Sequence, residues 1–171
     1  LDIVSDKYKK LFLYIDKLNL FKTFDPHWLS TKLLGGLNYE EYVNNTPKDG
    51  VIDRIQIVKY PSDSGFIEPH QHHPLNQRLI ISVYMSQKKV DYVEGGTYFF
   101  NKKNQKINLE DNIEIGDMGI FYATLKHGVD KVTVKNTSKK FNSSDRMGRW
   151  WIGLYSPESD HITDRNTSNP V

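Results

Sequence analysis

Three histidines lie in one short stretch of the chain, at His70, His72 and His73, and a fourth follows at His127. If the stretch is extended, side chains two apart share a face, so His70 and His72 point together and could meet His127 across a barrel. Because the chain has no cysteine, any metal must be held by His, Asp or Glu. Imidazole suits iron, zinc, copper and nickel. The spacing predicts a metal site at His70 and His127 with His72 as a further candidate, whereas His73, on the opposite face, and His27 are not expected to bind.

Arg149 is the second residue whose surroundings indicate chemistry. It begins the run Arg149 to Tyr155, in which both alternating faces are large and apolar, so we expect a strand buried on both sides. A buried guanidinium is costly unless a carboxylate pairs with it, and its planar fork suits bidentate recognition of one. The alternative is an Arg at an exposed strand end that pairs with a surface Asp or Glu.

The composition limits the class of protein. The 171 residues, of which 37% are hydrophobic, suffice for one core, so a single domain over residues 1–171 is expected. The net charge is +2, and the sequence has no long run of charges of one sign, so nucleic acid is not favoured as a partner. No run reaches the roughly 18 apolar residues that a membrane span requires, and no signal peptide is visible. We expect a cytoplasmic protein, and the absence of an initiating Met indicates missing upstream residues.

Helices are predicted to precede strands. Apolar spacing of three and four predicts an amphipathic helix from Ser5 to about Leu20, which would pack on the barrel or on a partner and leaves a homodimer open. A second helix is predicted from Asp25-Pro26 to Leu33, and a short third one over residues 39–43. After Gly50 the predicted strands are Ile52–Tyr60, Leu79–Met85, Gly96–Phe100, Ile113–Ala123, Val129–Val134 and Trp150–Tyr155.

This order predicts a mainly β (α+β) fold, an antiparallel barrel or jelly roll with N-terminal supporting helices. The helical support would cover residues 1–48 and the barrel core residues 50–156. Residues 101–112 and 135–145 are expected to form polar loops, and residues 157–171 an irregular tail.

The order of these parts resembles the Fe(II)- and 2-oxoglutarate-dependent dioxygenases, whose core is a double-stranded β-helix. The resemblance extends from Tyr60 to Tyr155. The matching segments are, in chain order, His70-Gln71-His72 at the family's first metal-binding motif, Leu79–Met85 and Gly95–Phe100 at its core strands, Gly116–Phe121 with His127 at the distal histidine, and Gly148-Arg149 at the cosubstrate-binding arginine.

The resemblance implies specific roles. His70 and His127 would hold Fe(II) and leave positions for 2-oxoglutarate and O2, while Arg149 would pair with the far carboxylate of 2-oxoglutarate. Tyr60 or Tyr84 would add a hydrogen bond to that carboxylate. The implied activity is hydroxylation of a small-molecule substrate with decarboxylation of 2-oxoglutarate.

Position 72 departs from the family pattern, since a carboxylate ligand is expected there and the chain has His72. Three explanations stand: a three-histidine site, an open coordination position as in related halogenases, or a carboxylate from elsewhere, of which Glu68 is the nearest. We expect His72 to be a metal ligand.

Two other function classes remain. The His-x-His spacing also resembles the cupins, which include three-histidine dioxygenases, isomerases and noncatalytic binding modules, although Gln77 stands where an acidic ligand is usual. A jelly-roll carbohydrate-binding or interaction module is the third alternative, and it predicts no transition metal.

Overall fold

The computed structural model describes residues 9–12, 18–34, 54–72, 74, 78–134 and 147–155. Among these residues one α-helix and nine strands are found. In chain order they are β1 (Lys9–Phe12), α1 (Leu20–Leu34), β2 (Arg54–Tyr60), β3 (Ile67–His70), β4 (Leu79–Tyr84), β5 (Glu94–Phe100), β6 (Lys106–Asn108), a short 3₁₀ helix (Glu110–Asn112), β7 (Met118–Tyr122), β8 (His127–Thr133) and β9 (Arg149–Tyr155).

Two antiparallel sheets contain all nine strands. One has the order β1-β2-β9-β4-β7 and the other the order β3-β8-β5-β6. Strands distant in sequence are neighbours: β9 lies between β2 and β4, pairing Tyr60 with Arg149 and Tyr84 with Trp151. Two antiparallel sheets joined by such long connections form a jelly roll, the double-stranded β-helix, so the predicted fold class is confirmed.

The three central strands of the five-stranded sheet, β2, β9 and β4, are buried on both faces because their side chains alternate between two cores. Side chains such as Val58, Ile80 and Trp151 point between the two sheets, in one cluster with Val129 and Val132 of β8. The alternate positions of the same strands point to the other face, where Ile55, Ile81, Val83, Ile152 and Leu154 form a second cluster. The expected burial of β9 on both sides is therefore confirmed.

Helix α1 covers the outer face of this sheet. Trp28, which is 1% exposed, lies in the outer cluster, and Leu20, Phe21 and Phe24 pack against it. The rings of Phe21 and Trp28 are stacked with centroids 6.1 Å apart. A helix on the outside leaves the space between the sheets free for a site.

The predicted helix over residues 5–20 is wrong where the structure describes it, because Lys9–Phe12 is strand β1, paired with β2 from Lys9–Lys59 to Phe12–Gln56. A segment of four residues is compatible with the periodicity of a helix and with that of a strand. The edge of β2 offers backbone hydrogen bonds that a strand can use and a helix cannot. Residues 5–8 and 13–17 lie outside the described part.

Helix α1 begins five residues before its predicted start, after Asn19, whose φ is 54°. The Thr23 N–H donates to the Asn19 carbonyl at 3.1 Å and closes the first turn. Pro26 lies inside the helix rather than at its first position, the position that Pro most often takes. The predicted short helix over residues 39–43 and both the loop over 135–145 and the tail over 157–171 lie outside the described residues.

Besides β1, two more strands were not predicted. β3 is short and only partly buried, and β6 falls within the expected polar loop of residues 101–112. All three residues of β6 are exposed, so this edge strand shows no alternating apolar pattern. The strand expected from Ile113 is shorter, since β7 begins at Met118. In the described part of the chain no helix has the length and apolar character needed to cross a bilayer.

Candidate metal centre

Strand pairing brings together the three histidines for which the sequence predicts a metal site. His70 ends β3 and His127 begins β8, and the two are direct partners across this antiparallel pair. His72 follows two residues after His70. One ring nitrogen from each of the three lies within 4.8 Å of the others, close enough for one ion to contact all three after small side-chain adjustments.

Backbone carbonyls orient two of the rings. Nδ1 of His70 lies 2.9 Å from the Glu68 carbonyl oxygen, and Nδ1 of His127 lies 2.7 Å from that of Leu125. A neutral imidazole that donates from Nδ1 keeps the lone pair on Nε2. Such a contact is the usual outer support of a metal-binding histidine, because it fixes both the tautomer and the ring plane.

His72 is held in place through the main chain. Its N–H donates to the Ala123 carbonyl at 2.9 Å, and the side-chain amide of Gln71 donates to the Thr124 carbonyl. Ala123 and Thr124 belong to the turn that leads from β7 to His127. The segment that carries His70 and His72 is thus attached directly to the segment that carries His127.

The electrostatics favour His127 as a neutral ligand. Burial, followed by the proximity of His70 and by that of His72, lowers the pKa of His127 to about 3. At neutral pH His127 therefore needs to lose no proton before it binds a cation. Three imidazoles without a thiolate form a donor set that suits Fe(II) and other divalent transition metals.

The other candidate ligands are not part of this group. Glu68 is exposed and lines the adjacent cavity, but its carboxylate is not among the clustered ligand atoms. His27 is exposed on α1. His73 lies outside the described residues, so its expected exclusion stays a prediction. Of the three explanations for position 72, the cluster agrees with the three-histidine site.

A cavity of about 480 Å³ extends from the histidines into the space between the sheets. His70, His72 and His127 line it together with Arg149 from the opposite sheet. Most of its wall is apolar, contributed by side chains including Ile80, Phe121, Val129 and Trp151. The metal candidates and the predicted carboxylate-binding residue therefore line one cavity.

Arg149 is buried, with 1% of it exposed, so the alternative of an exposed strand end is wrong. The carboxylate that pairs with it belongs to this chain: Nη2 lies 2.6 Å from Oε1 of Glu110, and Nε donates to both Glu110 oxygens at 2.9 and 2.8 Å. Nη2 also donates to Thr97 Oγ1 at 2.7 Å. Glu110 is 2% exposed, so the ion pair is shielded from water on both sides.

Glu110 is a site residue that the sequence interpretation missed, since it falls in a stretch expected to be a polar loop, and Thr97 and Gln56 were missed as well. Glu110 also accepts hydrogen bonds from the Thr97 N–H at 2.7 Å and from the Tyr92 hydroxyl. A Cβ at Gly96, whose φ is +105°, would lie 2.9 Å from Glu110 Oε2, so this glycine makes room for the carboxylate. One feature of the sequence pointed to such a residue: a buried Arg149 requires a buried carboxylate partner.

The ion pair shifts the pKa values of its members in opposite directions. Burial alone would raise the pKa of Glu110, but the charge and hydrogen bonds of Arg149, with those of Thr97 and Tyr92, lower it to about 2. Burial would lower the pKa of Arg149, and Glu110 raises it above its ordinary value instead. Both groups are charged at neutral pH.

Among the described residues that line the cavity, two buried side-chain donors have no hydrogen-bond partner. Nη1 is the one guanidinium nitrogen of Arg149 that makes no hydrogen bond, and Nε2 of Gln56 on the neighbouring strand is likewise buried and unpaired. Both residues line the cavity. Buried donors without partners are costly, and a ligand with an acceptor oxygen would satisfy them.

The two tyrosines expected at the cosubstrate lie on either side of Arg149. The ring of Tyr60 packs against the guanidinium, with Cζ 4.6 Å from its centroid, and Tyr60 lines the cavity. Tyr84 lies farther from it, at 6.0 Å, and is not among the described residues that line the cavity. Burial, and then Glu110, raises the pKa of Tyr84 to about 12, so its hydroxyl stays neutral.

Solved structures with the same fold include prolyl hydroxylases. A Pseudomonas putida prolyl-4-hydroxylase superposes with a TM-score of 0.58 at 11% identity, over 88% of this chain and 68% of that chain. A prolyl hydroxylase from Trichoplax adhaerens, in complex with a hypoxia inducible factor peptide fragment, gives 0.55 at 11% identity over 90% and 66%. Prolyl 4-hydroxylases from Phytophthora capsici give 0.51 at 14% identity over 93% and 52%.

These likenesses support the resemblance at the level of the fold: this chain has the double-stranded β-helix of the prolyl-4-hydroxylase structures. It spans between half and about two thirds of their length. No protein-family model matches the chain, and no curated protein matches it.

Proposed function

We propose that this protein is an Fe(II)- and 2-oxoglutarate-dependent oxygenase that hydroxylates a small-molecule substrate. The observation that carries the proposal is the shared cavity, which His70, His72 and His127 line from one sheet and Arg149 lines from the other. The prolyl hydroxylase neighbours support an oxygenase built on this fold.

His70, His72 and His127 would hold Fe(II), in the three-histidine arrangement expected from His72. Bound Fe(II) would supply the redox chemistry with O2 that couples loss of CO2 from 2-oxoglutarate to hydroxylation. Because their Nδ1 atoms contact backbone carbonyls, His70 and His127 would bind the ion through Nε2.

Arg149 would bind the far end of 2-oxoglutarate, because its Nη1 is an unpaired donor and the residue lines the cavity, and Gln56 offers a second unpaired donor elsewhere on the cavity wall. Tyr60 would shape this end by packing against the guanidinium. The apolar wall would exclude water from the space between the metal and Arg149, which strengthens polar contacts made there. The volume of about 480 Å³ lies within the usual range of small-molecule sites.

The decisive experiment uses purified protein loaded with Fe(II) under anaerobic conditions. Addition of 2-oxoglutarate should produce a weak visible charge-transfer band and raise the melting temperature. His127→Ala, loaded in the same way, should give neither response. If the Fe(II)-loaded protein shows no band and no rise in melting temperature, the proposed function is wrong.

The alternative is a cupin-like three-histidine metal protein, acting as a dioxygenase, an isomerase or a noncatalytic binding module. The donor set of three histidines without a carboxylate favours it. This alternative predicts stoichiometric metal binding without any response to 2-oxoglutarate, so the same experiment separates the two. The cytoplasmic location and the homodimer stay predictions.

A further inference from the structure

The end of the cavity at which Arg149 lies, its inner end, is polar but carries no net charge. The positive guanidinium of Arg149 and the negative carboxylate of Glu110 are both buried and make a contact of 2.6 Å. Glu110 occupies the edge formed by Nε and Nη2, the edge that a free arginine would offer to a bidentate carboxylate. A ligand entering the cavity therefore meets a compensated ion pair.

Glu110 is fixed in this position by more than Arg149. Its oxygens also accept from the Thr97 N–H and from the Tyr92 hydroxyl, and both of these residues are buried. Displacing Glu110 would leave these donors unpaired in the core, which is costly. A carboxylate ligand would consequently add a second negative charge beside Glu110 instead of replacing it.

The unpaired donors on the cavity wall, one at Arg149 and one at Gln56 four register positions away, are suited to any acceptor oxygen. Nη1 of Arg149 and Nε2 of Gln56 are buried, unpaired and on lining residues of the cavity. The amide of Gln56 has no charge, and the charge of Arg149 is offset by Glu110. Hydrogen bonds from such donors reward an oxygen acceptor but give little preference for an anion over a neutral carbonyl.

We infer that Glu110 is a specificity-determining residue: by neutralising Arg149 it makes the inner end a neutral hydrogen-bonding subsite. The site then takes 2-oxo acids that carry an acceptor oxygen at the far end, whether carboxylate or neutral carbonyl, and does not select for a second carboxylate. This inference rests on the proposed function, since the 2-oxo acid group would bind at the metal.

The test compares three ligands by calorimetry on the Fe(II)-loaded protein under anaerobic conditions. They are 2-oxoglutarate, 2,5-dioxohexanoate, in which a methyl ketone replaces the distal carboxylate, and 2-oxopentanoate, which has no distal acceptor. The dissociation constants of the first two should agree within about tenfold, the effect of one net hydrogen bond or less. 2-Oxopentanoate should bind more weakly than both.

The other possible outcomes of this comparison each contradict a specific claim. A preference of more than about tenfold for 2-oxoglutarate over the diketone would show that a second carboxylate is selected, and the inference would be wrong while the proposed function stood. If 2-oxopentanoate binds as tightly as the other two ligands, the cavity has no subsite that binds a distal acceptor oxygen. If none of the three ligands binds, the proposed function itself fails.

Glu110→Gln supplies a second measurement, because it removes the compensating charge with little change of shape. In this variant the affinity for 2-oxoglutarate, relative to the affinity for the diketone, should be about tenfold higher than in the wild type. Asp111→Asn is the matched control, because Asp111 is an exposed neighbouring carboxylate paired with Lys88. It should leave the ratio of the dissociation constants of 2-oxoglutarate and the diketone unchanged. An unchanged ratio in a folded Glu110→Gln protein would contradict the inference, and the wild-type series decides the question if that variant does not fold.

Discussion

His70 and His127 are direct partners across the β3–β8 pair, and their ring centroids lie 4.4 Å apart. Each donates from Nδ1 to a carbonyl two residues earlier in its own strand or turn. The β-ladder thus sets their separation and the local backbone sets their tautomer. His72 joins them because the segment after β3 is bonded to the turn before β8.

Removal of either paired histidine should abolish metal binding. We expect His70→Ala and His127→Ala to lose stoichiometric iron, because two remaining neutral ligands hold the ion weakly. His72→Asp should retain iron, since a carboxylate can ligate from the same position. Iron per protein after anaerobic loading and desalting is the measurement.

His27→Ala is the control for these variants, because it removes an exposed histidine of α1. It should bind iron as the wild type does. Unchanged iron stoichiometry in both His70→Ala and His127→Ala would refute the metal centre.

Metal binding should stabilise the folded protein. A ligand at a hundred times its dissociation constant adds about 2.7 kcal/mol, which for a chain of this size corresponds to a rise in Tm of roughly 5–10 °C. We expect this rise with Fe(II), its reversal by a chelator, and its absence in His127→Ala. An equal rise in that variant would place the stabilising ion at another site.

Glu110 should contribute more to stability than its exposed neighbour. Replacing it with Gln leaves Arg149 buried without a compensating charge, which we expect to cost about 3–5 kcal/mol of the free energy of unfolding. Asp111→Asn breaks an ion pair whose carboxylate is half exposed, and should change the midpoint of denaturant unfolding little. Similar midpoints for the two variants would contradict the importance of the buried pair.

The pH dependence of stability should carry the signature of Glu110. Its pKa is lowered from 4.5 to about 2, so the unfolded chain takes up a proton at higher pH than the folded protein does. The stabilisation is therefore complete above about pH 4.5 and is lost as the pH falls toward 2. In Glu110→Gln this part of the acid transition should disappear.

His127 adds a separate contribution at higher pH. Its pKa is lowered from 6.5 to about 3, so stability should also fall as the pH drops through this interval, in wild type and Glu110→Gln alike. The difference between the two proteins, measured by denaturant unfolding from pH 7 to 2, isolates Glu110. Parallel curves below pH 4.5 would show that Glu110 is not an ionised partner of Arg149.

The sequence was sufficient for most of the barrel strands and for the proximity of His70, His72 and His127, because period-two patterns and a His-x-His motif are local signals. β1 was misread because four residues carry too little pattern to exclude a helix, and its pairing depends on the edge of β2. β6 and Glu110 were missed for a related reason. Their positions depend on contacts with β5 and β9, which a polar local sequence does not reveal.

The most direct test of the three-histidine centre is a crystal structure of the protein loaded anaerobically with Fe(II). We expect one ion bound by the Nε2 atoms of His70, His72 and His127, at about the 2.0–2.1 Å typical of metal–imidazole bonds. An ion held by only two of these histidines, by Glu68, or at another place in the protein would contradict this expectation.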